Sequence, residues 1–193
     1  AKRVAMILNP AMPEVLPYVR VLEKELDLTL DIIVKSTPSS MHSFYEISSL
    51  LRGHGRFITT TVDTVFRPEA FRRYAKMWQE APENIDGMMA MTRYIDDEKP
   101  LYIDTDGDNE PIRAFRDEAW PGAKYISGGI YGLDSKAIGV LQQCMDEGVS
   151  RMRNYQRRLL SAGLTLLGHD MGKILDVDHI SDIPKAEAFL RQE

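Results

Sequence analysis

Three aspartates stand at the ends of apolar runs, where an α/β protein collects its ligands. Asp63 directly follows Phe57-Ile58-Thr59-Thr60-Thr61-Val62. A carboxylate placed there sits at the carboxyl edge of a sheet, the side on which open α/β sheets bind ligands. Turning the chain into the next helix explains the same residue. In Ile174-Leu175-Asp176-Val177-Asp178 the alternation of a strand puts both carboxylates on one face. Two such charges repel unless a cation lies between them. A hard ion such as Mg²⁺ takes one or two carboxylates and fills its shell with water or phosphate oxygens. Asp63 and Asp176 would supply such a pair. Asp178 is either a further ligand or a cap on the following turn.

Other groups offer binding rather than charge. Thr37, Ser39 and Ser40 form a polar loop before a helix. Free N–H groups and hydroxyls there suit a phosphate or a base edge, and ordinary capping accounts for them equally. Gly128-Gly129 interrupts an apolar strand, which implies a bulge, a close ligand or tight packing. Arg151, Arg153, Arg157 and Arg158 fall on two sides of one helix and read as solvated charge, with a substrate or subunit contact as the lesser alternative. Asp104-Thr105-Asp106-Gly107-Asp108 has the start of a calcium loop, but Phe115 stands where the closing glutamate belongs, so it reads as a hairpin turn. The four histidines show no paired metal spacing. Cys144 lies on the apolar side of its helix and reads as a core residue.

These groups need a scaffold. Residues 4–8, 30–34, 57–62 and 87–92 read as short strands. They alternate with amphipathic segments beginning near Pro13, Ser40 and Pro68. That alternation predicts a parallel sheet covered on both faces. Residues 101–104 and 112–115 predict a hairpin, and 124–131 a longer strand. Two helices then end at Gly148 and Gly163. Residues 164–167 and 173–177 predict late strands, and Ser181 is expected to cap a last helix. The expected architecture is a Rossmann-like three-layer αβα sandwich, mostly parallel, with an antiparallel insertion. No boundary divides the 193 residues, so one domain is expected.

Composition narrows the function. Apolar residues are 44% and charged residues 27%, ordinary for a globular protein. A net charge of −5 argues against a general nucleic-acid binder. No apolar run approaches the ~20 residues of a membrane span. One cysteine forms no internal disulfide, which fits a reducing, cytoplasmic setting.

Taken in order, the segments resemble the nucleotidyltransferase superfamily that makes NDP-sugars. Phe57 to Asp63 resembles its strand ending in a metal-binding aspartate, with Val62 where the family has glycine. Ser127-Gly128-Gly129-Ile130-Tyr131 resembles its Asn-Ala-Gly-Ile-Tyr segment facing the sugar. Ile174-Leu175-Asp176-Val177-Asp178, followed by Asp182-Ile183 and Lys185-Ala186, resembles its Trp-Ile-Asp-Val-Asp ending. The resemblance implies that a sugar 1-phosphate or similar monoester attacks the α-phosphorus of an NTP and pyrophosphate leaves. It implies Mg²⁺ at Asp63 and Asp176, with Asp178 beside them. Substrate contacts are implied at Thr37, Ser39, Ser40, Thr61, Gly128 and Gly129. A homo-oligomer would fit.

The chain departs from the pattern in two places. The family opens with a strand, a Gly-x-Gly-(Thr/Ser)-Arg turn and a Pro-Lys segment, which wrap the triphosphate. None is found here, and the first strand matches the family's second. Roughly 40 to 60 residues would be missing, and the chain as it stands is expected to turn over little. The family's Glu-Lys-Pro sugar contact finds only a poor match at Glu118. A non-catalytic nucleotide- or NDP-sugar-binding domain is the rival expectation. A glycosyltransferase-like domain is another, though Asp63-Thr64-Val65 lacks that class's second acid.

Overall fold

The computed structural model describes residues 2–95 and 99–191. The first half alternates strand and helix as β1 (Arg3–Leu8), α1 (Val15–Glu25), β2 (Thr29–Val34), α2 (Ser40–Ser48), β3 (Phe57–Thr60), β4 (Thr64–Val65) and α3 (Pro68–Glu80). The second half runs β5 (Gly87–Thr92), β6 (Tyr102–Thr105), β7 (Glu110–Arg116), β8 (Tyr125–Leu133), α4 (Ser135–Asp146), α5 (Met152–Ser161), β9 (Leu166–Asp170), β10 (Leu175–Asp176) and α6 (Ile183–Arg191).

The main sheet has the order β3-β8-β5-β9-β7-β6, and β6 also pairs with β8. Strands β8, β5, β9, β7 and β6 therefore close on one another in a barrel-like circuit. Among the described residues, only β5–β9 and the separate β1–β2 pair are parallel; every other pairing is antiparallel. The expected Rossmann-like, mostly parallel sandwich is thus corrected to a mixed α/β fold. The cause is β8, which runs against β5. Its nine residues serve three neighbours: β5 along its length, β3 at one end and β6 at the other.

Helices still cover both faces of the central strands. Met89 and Met91 of β5 face a core with Met41 and Phe44 of α2, Leu141 of α4 and Tyr155 and Leu159 of α5. Met88 and Ala90 face Ala70, Tyr74 and Trp78 of α3. A strand buried on both sides reads as a continuous apolar run, as Met88-Met89-Ala90-Met91 does. Tyr74 stitches that layer: its hydroxyl donates to the Met88 carbonyl at 2.5 Å and accepts from the Gly132 amide at 2.6 Å.

Three local differences bear on the site. The strand expected over 57–62 ends at Thr60, and Val62 is almost fully exposed. The late strand is only Leu175–Asp176, so Asp178 lies beyond the ladder. The last helix begins at Ile183 rather than after Ser181. Before it comes a 3₁₀ turn, Ile180–Asp182, capped reciprocally by His179 and Asp182.

Candidate functional site

The acidic end of the sheet is built by a very short antiparallel pair. Asp176 lies opposite Thr64 and Leu175 opposite Val65. The Val177 amide donates to the Asp63 carbonyl at 3.0 Å. Asp63 sits in the bend just before β4 and Asp176 at the end of β10, so backbone pairing brings the two aspartates together. Behind them α6 presses Ala186 and Phe189 onto Leu175, Val65 and Val177. The Phe189 ring lies between the Arg67 guanidinium, 5.0 Å away, and the Lys173 ammonium, 5.5 Å away.

Asp63 and Asp176 line one cleft of about 290 Å³ with Asp178, Ser40, Thr61, Lys99, Ser127, Gly129, Tyr131, Arg151 and Gln156. Hydroxyls join its walls. Thr61 Oγ1 and Thr64 Oγ1 lie 2.7 Å apart, and Thr64 Oγ1 donates to Asp176 Oδ1 at 3.1 Å. Among the described residues, Asp63 Oδ1 is the one buried side-chain oxygen or nitrogen without a hydrogen-bond partner. A carboxylate oxygen left so is costly unless a cation or donor meets it. Tyr131, buried beneath, has its hydroxyl pushed up to about 12, first by burial and further by the charges of Asp176 and Asp63.

A second cavity of about 490 Å³ adjoins the first and shares Lys99, Ser127, Asp176 and Asp178 with it. Its other walls include Tyr94, Gly128, His179, Asp182 and Lys185. The β8 glycines divide the two spaces, Gly129 lining the first and Gly128 the second. Gly129 has φ +73°, and a Cβ there would come within 2.8 Å of Thr64 Oγ1. A Cβ on Gly128 would come within 2.3 Å of Ile174 Cδ1. Close packing against Ile174 and the Ala90 carbonyl therefore favours glycine at 128, and the β8 irregularity opposite Met89 and Met91 accommodates 129.

The remaining expected residues fall as follows. Ser40 and Thr61 line the first cleft. Thr37 and Ser39 do not line either cavity. The Thr37 hydroxyl is 2.6 Å from Ser43 Oγ, and Ser39 Oγ is 2.8 Å from His42 Nδ1, so both serve the turn into α2. Among the described residues no three His, Cys, Asp or Glu side chains group as a metal cage, so Asp63, Asp176 and Asp178 are not a preformed three-ligand set. A two-carboxylate site remains compatible with the chemistry of Mg²⁺.

The helical arginines are more specific than solvated charge. Arg153 pairs with Asp117 at 2.7 Å and donates from Nη2 to the Lys99 carbonyl at 2.8 Å. Arg157 holds the other Asp117 oxygen at 2.7 Å, and Arg158 pairs with Glu147. Arg151 lines the first cleft at the start of α5 with φ +71°, a backbone region that side chains rarely adopt.

Sequence reasoning missed Lys99 and Gln156. Lys99 carries a signal: it stands in Glu98-Lys99-Pro100, the tripeptide sought after the hairpin but placed before it. Glu98 itself lies outside the described residues, and Glu118 lines neither cavity. Gln156 carries no signal, because a glutamine inside a helix reads as surface.

No protein-family model matches the chain, and no curated protein sequence matches it. Solved structures match its fold. An inositol-1-phosphate CTP transferase from T. maritima superposes with TM-score 0.77 at 12% identity, over 100% of this chain and 78% of that one. A UDP-glucose pyrophosphorylase complexed with UDP-glucose gives 0.72 at 12%, over 97% and 80%. A nucleoside-diphosphate-sugar pyrophosphorylase from Vibrio cholerae RC9 gives 0.68 at 11%, over 96% and 80%. The resemblance to nucleotidyltransferases read from the sequence thus holds at the level of the fold. Among the described residues no helix is long and apolar enough to cross a membrane.

Proposed function

We propose that this chain is a sugar-phosphate nucleotidyltransferase domain, which moves an NMP group from an NTP to a phosphate monoester and releases pyrophosphate. The observation that carries the proposal is the meeting of Asp63 and Asp176 at one cleft, with Asp63 Oδ1 buried and unpartnered. The solved nucleotidyltransferases of the same fold support the reaction class.

Asp63 and Asp176 are the residues to hold Mg²⁺, which would neutralise charge on the reacting phosphates. The chain's own part is positioning and electrostatics. Lys99 and Arg151 line the cleft and balance phosphate charge. Ser40 and Thr61 offer hydroxyls to the nucleotide. Gly129 lets the acceptor approach the β8 backbone. The Thr61–Thr64–Asp176 hydroxyl chain holds the Asp176 carboxylate in place.

The test is pyrophosphate release by the product of the complete reading frame. Each common NTP is offered with glucose 1-phosphate and with inositol 1-phosphate, with Mg²⁺ and with EDTA. Release that needs both substrates and the ion supports the proposal. Binding of a nucleotide with no release under any pairing would instead support the non-catalytic reading.

A further inference from the structure

We infer that Gln156 is a substrate-binding residue, whose side-chain amide donates to a hydroxyl oxygen of the bound phosphate monoester. The inference rests on the proposed function and adds a contact that fixes the acceptor's neutral part.

Gln156 is 2% exposed, yet it lines the cleft that holds Asp63 and Asp176. Glutamine is seldom buried this deeply without pairing both ends of its amide. Here only one end is used. Ser127 Oγ donates to Gln156 Oε1 at 3.2 Å, and among the described residues Nε2 has no hydrogen bond. Two N–H donors are thus held at the cleft without an acceptor. Ser127 lies on the same cleft wall as the buried Tyr131, and its bond to Oε1 orients the amide.

The chemistry of the surroundings selects the ligand group. Lys99, Arg151 and Arg153 bring positive charge to the same cleft and suit phosphate oxygens. The neutral amide stands with the uncharged hydroxyls of Ser127 and Tyr131, the usual complement of a neutral hydroxyl. A site built to bond a substrate hydroxyl rejects an analogue lacking it, because the donor enclosed with the ligand is then left unpaired.

The test is a titration of the full chain with glucose 1-phosphate, inositol 1-phosphate and, separately, an NTP, each with Mg²⁺. Wild type is compared with Gln156→Met and Gln156→Glu, following affinity and the side-chain amide resonances. The Gln156 amide signals of wild type should shift with a monoester. Both variants should bind that monoester at least about tenfold more weakly, with a much smaller loss for the NTP. Gln156→Glu keeps the size and the Ser127 contact, so it decides the matter if Gln156→Met fails to fold. Unaltered monoester affinity in a folded variant, or equal loss for monoester and NTP, overturns the inference and leaves the proposed function standing. A wild type that binds neither monoester overturns both.

Discussion

The amide of Val177 donates to the carbonyl of Asp63 at 3.0 Å, and that bond ties the end of the chain to its middle at the cleft. The ladder it extends is only two residues long. Side-chain contacts must therefore hold what the backbone pairing begins, and the first predictions follow from them.

Thr64→Val removes the hydroxyl between Thr61 and Asp176 while keeping the shape of a buried side chain. Two lost hydrogen bonds should cost about 1–3 kcal/mol of stability. Divalent-ion affinity should fall several-fold because the Asp176 carboxylate loses the contact that Thr64 supplies. Thermal unfolding and ion titration read the two effects separately, and unchanged ion affinity would count against the hydroxyl chain.

Gly129→Ala puts a Cβ on a residue with φ +73° and drives it to 2.8 Å from Thr64 Oγ1. The backbone term alone is roughly 1–2 kcal/mol, and the contact displaces the threonine that holds Asp176. The variant should melt lower and lose any transfer activity. A melting temperature equal to wild type would show that β8 tolerates a side chain there.

Phe189→Ala should undock α6 from β10. The buried ring packs with Leu175, Val65 and Val177, and such truncations cost about 3–5 kcal/mol. Hydrogen exchange should rise first in α6 and at Val177, with the β5 core still protected. Uniform loss of protection would mean that the helix is not a separable brace for the two aspartates.

His169 sets a pH dependence. Burial lowers its pKa below the ordinary 6.5; Asp108 pulls it back, Arg73 pushes it down, and Asp170 raises it again. Its Nδ1 lies 2.8 Å from Asn109 Oδ1 and 3.2 Å from Asp108 Oδ1. The unfolded chain takes up the proton first as pH falls. Stability from this residue is therefore full above about 6.5 and is lost as pH falls through the lowered folded value. Melting temperature should decline over that window in wild type and decline less in His169→Gln.

Much of this was legible in the sequence, for physical reasons. Alternating apolar runs placed β1, β2, β5 and the helices, since burial on a helix face or a strand face leaves a period. The hairpin at 106–109 was announced by its turn residues. The direction of β8 was not legible, because strand orientation depends on pairing across the fold rather than on local pattern. That one reversal turned an expected parallel sandwich into a mixed, closed sheet. Asp63 and Asp176 were legible as residues following apolar runs, whereas the two-residue ladder that joins them was not. Asp178 was expected on the same strand face, but the strand stops at Asp176. Thr37 and Ser39 show the ambiguity of capping residues, whose hydroxyls here satisfy their own turn. Gln156 was invisible because burial of one polar side chain on a helix is decided by its neighbours.

The account depends on a single ion site shared by Asp63 and Asp176, and Mn²⁺ binding followed by electron paramagnetic resonance tests it most directly. Wild type should bind one Mn²⁺, Mg²⁺ should displace it, and Asp63→Asn and Asp176→Asn should each lose at least about tenfold in affinity while staying folded. Folded variants that bind Mn²⁺ as wild type does, or a wild type with no such site, would contradict it.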